Sequence, residues 1–133
     1  EMALANDESN EILYFARGTV YENLKQNDKA IADYKKAIEL KPAYYDPNFN
    51  LGALYFNRAA DKIKEANKLP LDATSKFKSL KEEAKVDFAA AVPYVEAANT
   101  AKPEDVDTAN MLIKLYTQTG QYDKAKETKA KYK

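Results

Sequence analysis

The residue types that most often carry out chemistry in proteins are scarce in this chain of 133 residues. It contains no histidine and no cysteine, so the commonest general base and metal ligand is missing, and so is the thiolate nucleophile. Adjacent carboxylates occur at Glu82–Glu83 and Glu104–Asp105, but neighbouring residues of a helix point about 100° apart, and both pairs lie among lysines or at a predicted helix start. We therefore predict that the protein is not an enzyme and has no catalytic residue, cofactor or metal ion.

The charge balance limits the class of partner. Lysine and arginine together number 21, as do aspartate and glutamate, so the formal net charge is zero. The broad basic field that drives binding to nucleic acid or to an anionic membrane surface is therefore missing. No apolar run approaches the roughly 20 residues that a membrane-spanning helix needs. We expect a soluble protein, cytoplasmic or periplasmic, without nucleic-acid binding or membrane insertion.

The feature that organises the sequence is a set of small, aromatic and proline residues that recur at two fixed offsets. The shorter offset relates Gly18 to Gly52, Tyr21 to Tyr55 and Ala91 to Ala125, and the longer one relates Ala30 to Ala91 and Pro42 to Pro103. Between these landmarks, apolar residues are three or four positions apart, which is typical of amphipathic helices. A period of about 34 residues, as in the shorter offset, predicts a repeated unit of two antiparallel helices.

The offsets also predict the domain organisation. We expect a single domain with repeat 1 at residues 9–42, repeat 2 at 43–103, and repeat 3 or a C-terminal capping repeat at 104–133. Residues 1–8 align with the end of a second helix, one period earlier. We therefore expect them to be the tail of a preceding repeat, and the chain to be a fragment of a longer array.

Several residues predict where helices begin and end. Asn10 or Ser9 can cap the first helix, and Asp28 the second, because their side chains can accept backbone N–H groups. Asp46–Pro47 can open the third helix, since the fixed φ of proline suits the first helical position. Gly120 suits a left-handed helix stop.

Repeat 2 is predicted to be much longer than the others. The separation of Tyr55 and Ala91 along the chain is four times that of the matching Tyr21 and Ala30, so a long segment is inserted between them. Within the returning helix the apolar residues form a continuous seam: Phe77, Leu80, Ala84, Phe88, Ala91, Val95 and Ala98. We expect both helices of repeat 2 to be lengthened into a hairpin, with the insertion at about residues 60–86. One alternative function is a structural role, in which this hairpin drives self-association or docks the array on another subunit.

The sequence resembles tetratricopeptide repeat proteins over nearly its full length. The matching residues are Tyr14, Gly18, Tyr21, Ala30, Tyr34, Ala37 and Pro42 in repeat 1, Leu51, Gly52, Tyr55, Ala91, Ala98 and Pro103 in repeat 2, and Leu112, Tyr116, Gly120, Tyr122 and Ala125 in repeat 3. Arg17 stands where leucine is usual, Val95 replaces an aromatic residue and Ile113 replaces a small one. The resemblance implies an all-α fold, an α-α superhelix, that binds a peptide or protein on its concave face without catalysing a reaction.

Helical geometry predicts which side chains line that face, because they lie on a stripe rotated away from the core stripe. The groove candidates are Ile12, Phe15, Thr19, Glu22, Asn23, Phe49, Ala53, Phe56, Asn57, Asn110 and Lys114. Phe15, Phe49 and Phe56 would be aromatic anchors for a partner; the alternative is that they pack on neighbouring helices. A further alternative is that the chain is an accessory domain of a larger assembly.

One binding mode of the family is not expected here. Chaperone adaptors hold a C-terminal carboxylate with a set of lysine, asparagine and arginine residues. The corresponding residues of this chain are Phe15, Thr19, Asn50, Asp107 and Met111. Only Asn50 matches that set, and Asp107 would repel the carboxylate.

Overall fold

The computed structural model describes residues 10–132, which form six α-helices and no strand. The helices are α1 Glu11–Asn23, α2 Asn27–Leu40, α3 Tyr45–Asn67, α4 Thr74–Ala101, α5 Val106–Gln118 and α6 Tyr122–Lys131. Each helix packs mainly on the next one along the chain. The predicted all-α fold is confirmed. The prediction that residues 1–8 are the tail of a preceding repeat lies outside the described residues.

Gly18 and Gly52 occupy equivalent positions in the packing of two helix pairs. A Cβ atom added to Gly18 would lie 2.7 Å from Cε1 of Tyr34 on α2. A Cβ added to Gly52 would overlap Cγ2 of Val95 on α4. Tyr34 and Val95 are themselves related by the longer of the two offsets found in the sequence. The repeat pattern therefore marks places where a helix backbone contacts a side chain of the following helix directly.

The second helix pair is the longest. α3 has 23 residues and α4 has 28, against 13 and 14 in α1 and α2. The predicted seam residues of α4 are buried from Leu80 to Ala98, and so are Ala59 and Ala66 of α3, the helix on which α4 packs. Phe77 is the exception and is 38% exposed. α4 continues through Pro93 without a break. That residues 60–86 are an insertion into a repeat stays a prediction.

The predicted helix boundaries are right at some positions and early or late at others. The side chain of Asn10 accepts hydrogen bonds from the backbone N–H groups of Ile12 and Leu13, as expected of a cap. Gly120 has a φ of +77° and ends the turn after α5 in the left-handed conformation, also as expected. Ser9 lies outside the described residues.

Two predicted caps are wrong. α2 begins at Asn27, before Asp28, and the turn that precedes it contains Lys25 at a left-handed φ of +62°. α3 begins at Tyr45, before Asp46–Pro47. Proline is tolerated there because the N–H groups of the first turn have no partner within the helix. Neither helix start has a side-chain cap hydrogen bond.

Candidate partner-binding clefts

A polar cleft of about 250 Å³ opens between the end of α1, the following turn and the middle of α3. We call it the α1–α3 cleft, and its lining residues are Glu22, Lys25, Asn27, Leu54, Asn57, Arg58 and Asp61. Glu22 and Asn57 were predicted as groove residues from the stripes of two different helices. The structure brings them to one site.

The charged groups of the α1–α3 cleft are of both signs, and two of them, Glu22 and Arg58, are held in place by neighbouring residues. Glu22 accepts a hydrogen bond of 2.6 Å from the hydroxyl of buried Tyr34. Burial raises the pKa of Tyr34 above its ordinary value, and the hydrogen bond to Glu22 adds to the shift. Tyr34 therefore remains a hydrogen-bond donor at any physiological pH and fixes the Glu22 carboxylate at the cleft.

Arg58 is fixed by the buried carboxylate of Asp87 on α4. Its Nη2 donates to Asp87 Oδ1 at 3.0 Å, and its guanidinium carbon lies 5.2 Å from the ring centroid of Tyr55. Lys62 donates to the other oxygen of Asp87 at 2.9 Å. Burial of Asp87 favours a higher pKa, but the hydrogen bonds and charges of Arg58 and Lys62 outweigh it, and the net pKa is below the ordinary value. Asp87 is therefore ionised at neutral pH and holds both cations against α4.

A second cleft, of about 470 Å³, lies between α5 and α6. We call it the α5–α6 cleft, and its lining residues are Asn110, Ile113, Lys114, Thr117, Gln118 and Lys129. It contains the groove candidates Asn110 and Lys114, both exposed. No residue lines both clefts, so these two candidates form a site separate from Glu22 and Asn57.

The three phenylalanines among the groove candidates each contact another aromatic ring. Phe15 lies 5.9 Å from Tyr34 and 5.6 Å from Tyr44 between ring centroids. Phe56 meets Phe88 edge-on at 5.5 Å. Both are partly buried against the hydrophobic core. These contacts support the alternative in which Phe15 and Phe56 pack on neighbouring helices. They do not favour a role as free anchors.

Phe49 lies outside the core and stacks on Tyr45, at 5.7 Å between centroids and 15° between planes. The Tyr45 hydroxyl in turn hydrogen-bonds Asp105 and Thr108, each at 2.8 Å. Tyr45 therefore ties the start of α3 to the start of α5. Phe49 is half-buried, so part of its ring is open to a partner.

The remaining groove candidates are dispersed along α1 and α3. Ile12 is 59% exposed, and Asn23 is exposed at the end of α1. The Thr19 hydroxyl donates to the carbonyl oxygen of Ala16 at 2.7 Å. Ala53 is half-buried. None of these four residues lines the α1–α3 cleft or the α5–α6 cleft.

Sequence reasoning missed the residues that complete and support the α1–α3 cleft. Lys25, Asn27 and Asp61 lie outside the predicted groove stripe. The position of the Arg58 side chain depends on Asp87, which is far away along the chain. One signal was available, because Asp87 follows Ala84 by three positions and precedes Ala91 by four, on the apolar seam. A carboxylate on such a seam needs a cationic partner, since an unpaired buried charge is costly.

Two other kinds of site are missing from the described part of the chain. Between residues 10 and 132, no group of three or more aspartates and glutamates is placed to hold a metal ion. None of the six helices is long and apolar enough to cross a membrane.

Stacked antiparallel helix pairs and open polar clefts are features of helical-repeat interaction modules. Two family descriptions match the sequence: "TPR repeat" at residues 20–58 and "Tetratricopeptide repeat" at residues 84–131. The chain belongs to the tetratricopeptide repeat family, whose repeats form protein–protein interaction modules. No curated protein matches the sequence.

Proposed function

We propose that this protein is a non-catalytic scaffold that binds an extended segment of a protein partner on its concave face, with the α1–α3 cleft as a main contact. The observation that carries the proposal is the meeting of Glu22 and Asn57 at one cleft. These residues come from corresponding stripes of two first helices. A segment that follows the groove from one repeat to the next would pass both.

The chemistry of the α1–α3 cleft suits a polypeptide backbone. Asn27 and Asn57 each offer a carboxamide, which both donates and accepts hydrogen bonds, as a peptide unit does. Lys25 and Arg58 balance Glu22 and Asp61, so the cleft has no net charge to select a simple anion or cation. An extended peptide presents N–H and C=O groups alternately and can satisfy such a mixed surface.

Two of the polar groups are also held in place before the partner arrives. Glu22 is bonded to Tyr34, and Arg58 to Asp87. Binding therefore costs less side-chain ordering than it would at a surface of free, flexible side chains. This arrangement supports selection of one peptide geometry at the cleft.

The test is selection of short random peptides displayed on phage against the immobilised protein. Peptides that bind the cleft should bind Asn57→Ala about 2- to 10-fold more weakly, the equivalent of a hydrogen bond worth roughly 0.5–1.5 kcal/mol. Asn57 is exposed, so this variant should fold normally. Lys35→Ala, an exposed change on α2, is the matched control and should bind like the wild type.

A second variant tests whether the peptides bind at the α1–α3 cleft or elsewhere on the surface. Glu22→Gln keeps the size of the side chain and removes its charge, and it should weaken the same peptides. If every selected peptide bound Asn57→Ala and Glu22→Gln as tightly as the wild type, the α1–α3 cleft would not be the binding site.

A further inference from the structure

An apolar cleft lies at the end of the α3–α4 hairpin, at the turn between the two helices. We call residues 64–81 the hairpin tip. Its cleft has a volume of about 330 Å³ and is lined mainly by Ala66, Leu69, Pro70, Leu71, Ala73 and Phe77. The hairpin tip belongs to neither the α1–α3 cleft nor the α5–α6 cleft.

Two large apolar side chains of the hairpin tip are exposed to solvent. Leu71 is 103% exposed, so almost all of its side chain is open to solvent, and Phe77 is 38% exposed. Each buried CH₂ group contributes roughly 0.8 kcal/mol, so leaving a leucine in water forgoes a substantial gain. A leucine beside an apolar cleft gains that stabilisation if a partner covers both.

The hairpin tip is also basic, although the whole chain is neutral. It contains five lysines, Lys64, Lys68, Lys76, Lys78 and Lys81, against two carboxylates, Glu65 and Asp72, so it has three excess positive charges. Within residues 10–132, none of Lys64, Lys68, Lys76 and Lys78 takes part in an ion pair. The ammonium of Lys81 lies 5.2 Å from the ring centroid of Phe77.

The acidic residues that follow do not cancel this charge at the tip. Glu82 pairs with Lys85 at 3.8 Å, and Glu83 pairs with Lys62 at 3.6 Å. Both of these cations lie outside the hairpin tip. The lysines of the tip are therefore available to an acidic partner.

The two helices that carry the hairpin tip are packed closely and joined by ion pairs. Buried Ala59, Ala66 and Ala84 let α3 and α4 pack closely, and Asp87 joins the two helices through Arg58 and Lys62. The tip is thus a fixed feature at the end of two long helices, and a partner meets a preformed cleft.

The charge and shape of the tip distinguish between three occupants. Two copies meeting tip to tip would bring ten lysines together, twice the five of one chain, and like charges repel. A lipid surface would be held by only one protruding leucine, which gives little apolar burial, since a whole myristoyl chain binds membranes only marginally. A concave apolar cleft on a segment that carries five lysines suits a single apolar side chain flanked by carboxylates.

We propose that the hairpin tip is a second docking site, which binds an acidic peptide segment of a protein partner with one apolar side chain seated beside Leu71 and Phe77. The lysines of the hairpin tip pair with the aspartates and glutamates of that segment. This site is independent of the α1–α3 cleft and extends the interaction surface of the protein to a different end of the molecule.

The experiment is again selection of displayed random peptides on the whole chain, with binding of the enriched peptides measured by fluorescence anisotropy. We expect a class enriched in aspartate and glutamate around an apolar residue. Leu71→Ser/Phe77→Ser and Lys76→Glu/Lys78→Glu should each weaken this class about tenfold or more. Raising the salt from about 0.1 M to about 1 M, which shortens the Debye length from roughly 10 Å to 3 Å, should weaken it as well.

Matched controls keep the result specific. Val86→Ser removes an exposed apolar side chain on α4 outside the tip, and Lys35→Glu/Lys126→Glu makes the same charge change on other helices. Both controls should bind the acidic class normally, and so should Asn57→Ala. Loss on Asn57→Ala with no effect of the tip variants would overturn the tip proposal while supporting the α1–α3 cleft.

Three other outcomes would also overturn the proposal. One is that no acidic class is enriched. Another is that the tip variants abolish binding to vesicles containing phosphatidylserine and leave peptide binding unchanged, which would make the tip a membrane contact. The last is that size-exclusion chromatography shows a dimer that Leu71→Ser/Phe77→Ser dissociates, which would support the self-association predicted from the sequence.

Discussion

Arg17 on α1 donates two hydrogen bonds to Asp33 on α2, from Nε to Oδ2 at 2.7 Å and from Nη2 to Oδ1 at 2.8 Å. Asp33 is only 4% exposed, so its charge needs this partner. Two parallel N–H···O bonds are the strongest geometry for an arginine and a carboxylate. Arg17 occupies the position where tetratricopeptide repeats usually have leucine, and the ion pair accounts for that departure.

Restoring the family's leucine at position 17 should therefore destabilise this protein. Arg17→Leu leaves the Asp33 carboxylate buried without its cation and should lower the free energy of unfolding by up to about 3 kcal/mol, less than for a fully buried pair because Arg17 is partly exposed. Urea denaturation measures the change. Arg17→Leu/Asp33→Ala removes both charges and should be more stable than Arg17→Leu alone. Equal stability of the two variants would contradict the pairing.

The close approach of Gly52 to Val95 predicts an interaction between two substitutions. Gly52→Ala adds a Cβ where Val95 Cγ2 already lies, so it should destabilise the protein by about 1–3 kcal/mol. Val95→Ala removes the opposing methyl groups. The double variant should be less destabilised than the sum of the two single variants, with a coupling of about 0.5–3 kcal/mol by urea denaturation. Strict additivity would show that the two residues are not in contact.

The buried Asp87 should make stability depend on pH. Because its pKa is lowered from the ordinary 3.8, its contribution is complete above about pH 5 and is lost as pH falls through the folded-state pKa. Asp87→Asn should cost about 1.5–3 kcal/mol at neutral pH, towards the lower end because Arg58 and Lys62 are partly exposed. Unfolding free energies near pH 7 and near pH 3 give the test.

The comparison of the two pH values decides what Asp87 contributes. The difference in free energy of unfolding between the wild type and Asp87→Asn should be largest at neutral pH and should shrink as the pH falls towards the folded-state pKa of Asp87. A difference of the same size at both pH values would mean that the variant acts through packing and not through the charge.

Phe56 and Phe49 should respond differently to truncation, although both were candidates for partner contacts. Phe56→Ala removes a ring packed on Phe88 and the core, and it should cost about 3 kcal/mol or less, because the side chain is only partly buried. Phe49→Ala removes one stacking contact with Tyr45 and should cost about 1 kcal/mol. Thermal unfolding ranks the two variants. The reverse order would place Phe49 in the core and leave Phe56 free for a partner.

The sequence alone predicted the helices and their pairing because those depend on short-range periodicity. Gly18 and Gly52 recur at the same offset as the other repeated residues. This spacing predicted that α1 packs on α2, and α3 on α4, in the same way. The seam from Leu80 to Ala98 was also predictable, because each apolar residue repeats at the helical period. Helix starts were less accurate where no side chain capped the backbone, as at Asn27 and Tyr45.

The tertiary structure decided which polar residues meet and which aromatic residues are available to a partner. Arg17 and Asp33 lie on different helices, as do Arg58 and Asp87, so no local pattern joins them. Phe15 and Phe56 lie on the predicted groove stripe, but rings on the next helix, Tyr34 and Phe88, pack against them and partly cover them. The periodicity of one helix shows which way a side chain points; what it contacts is set by the angle and register at which a second helix packs against it.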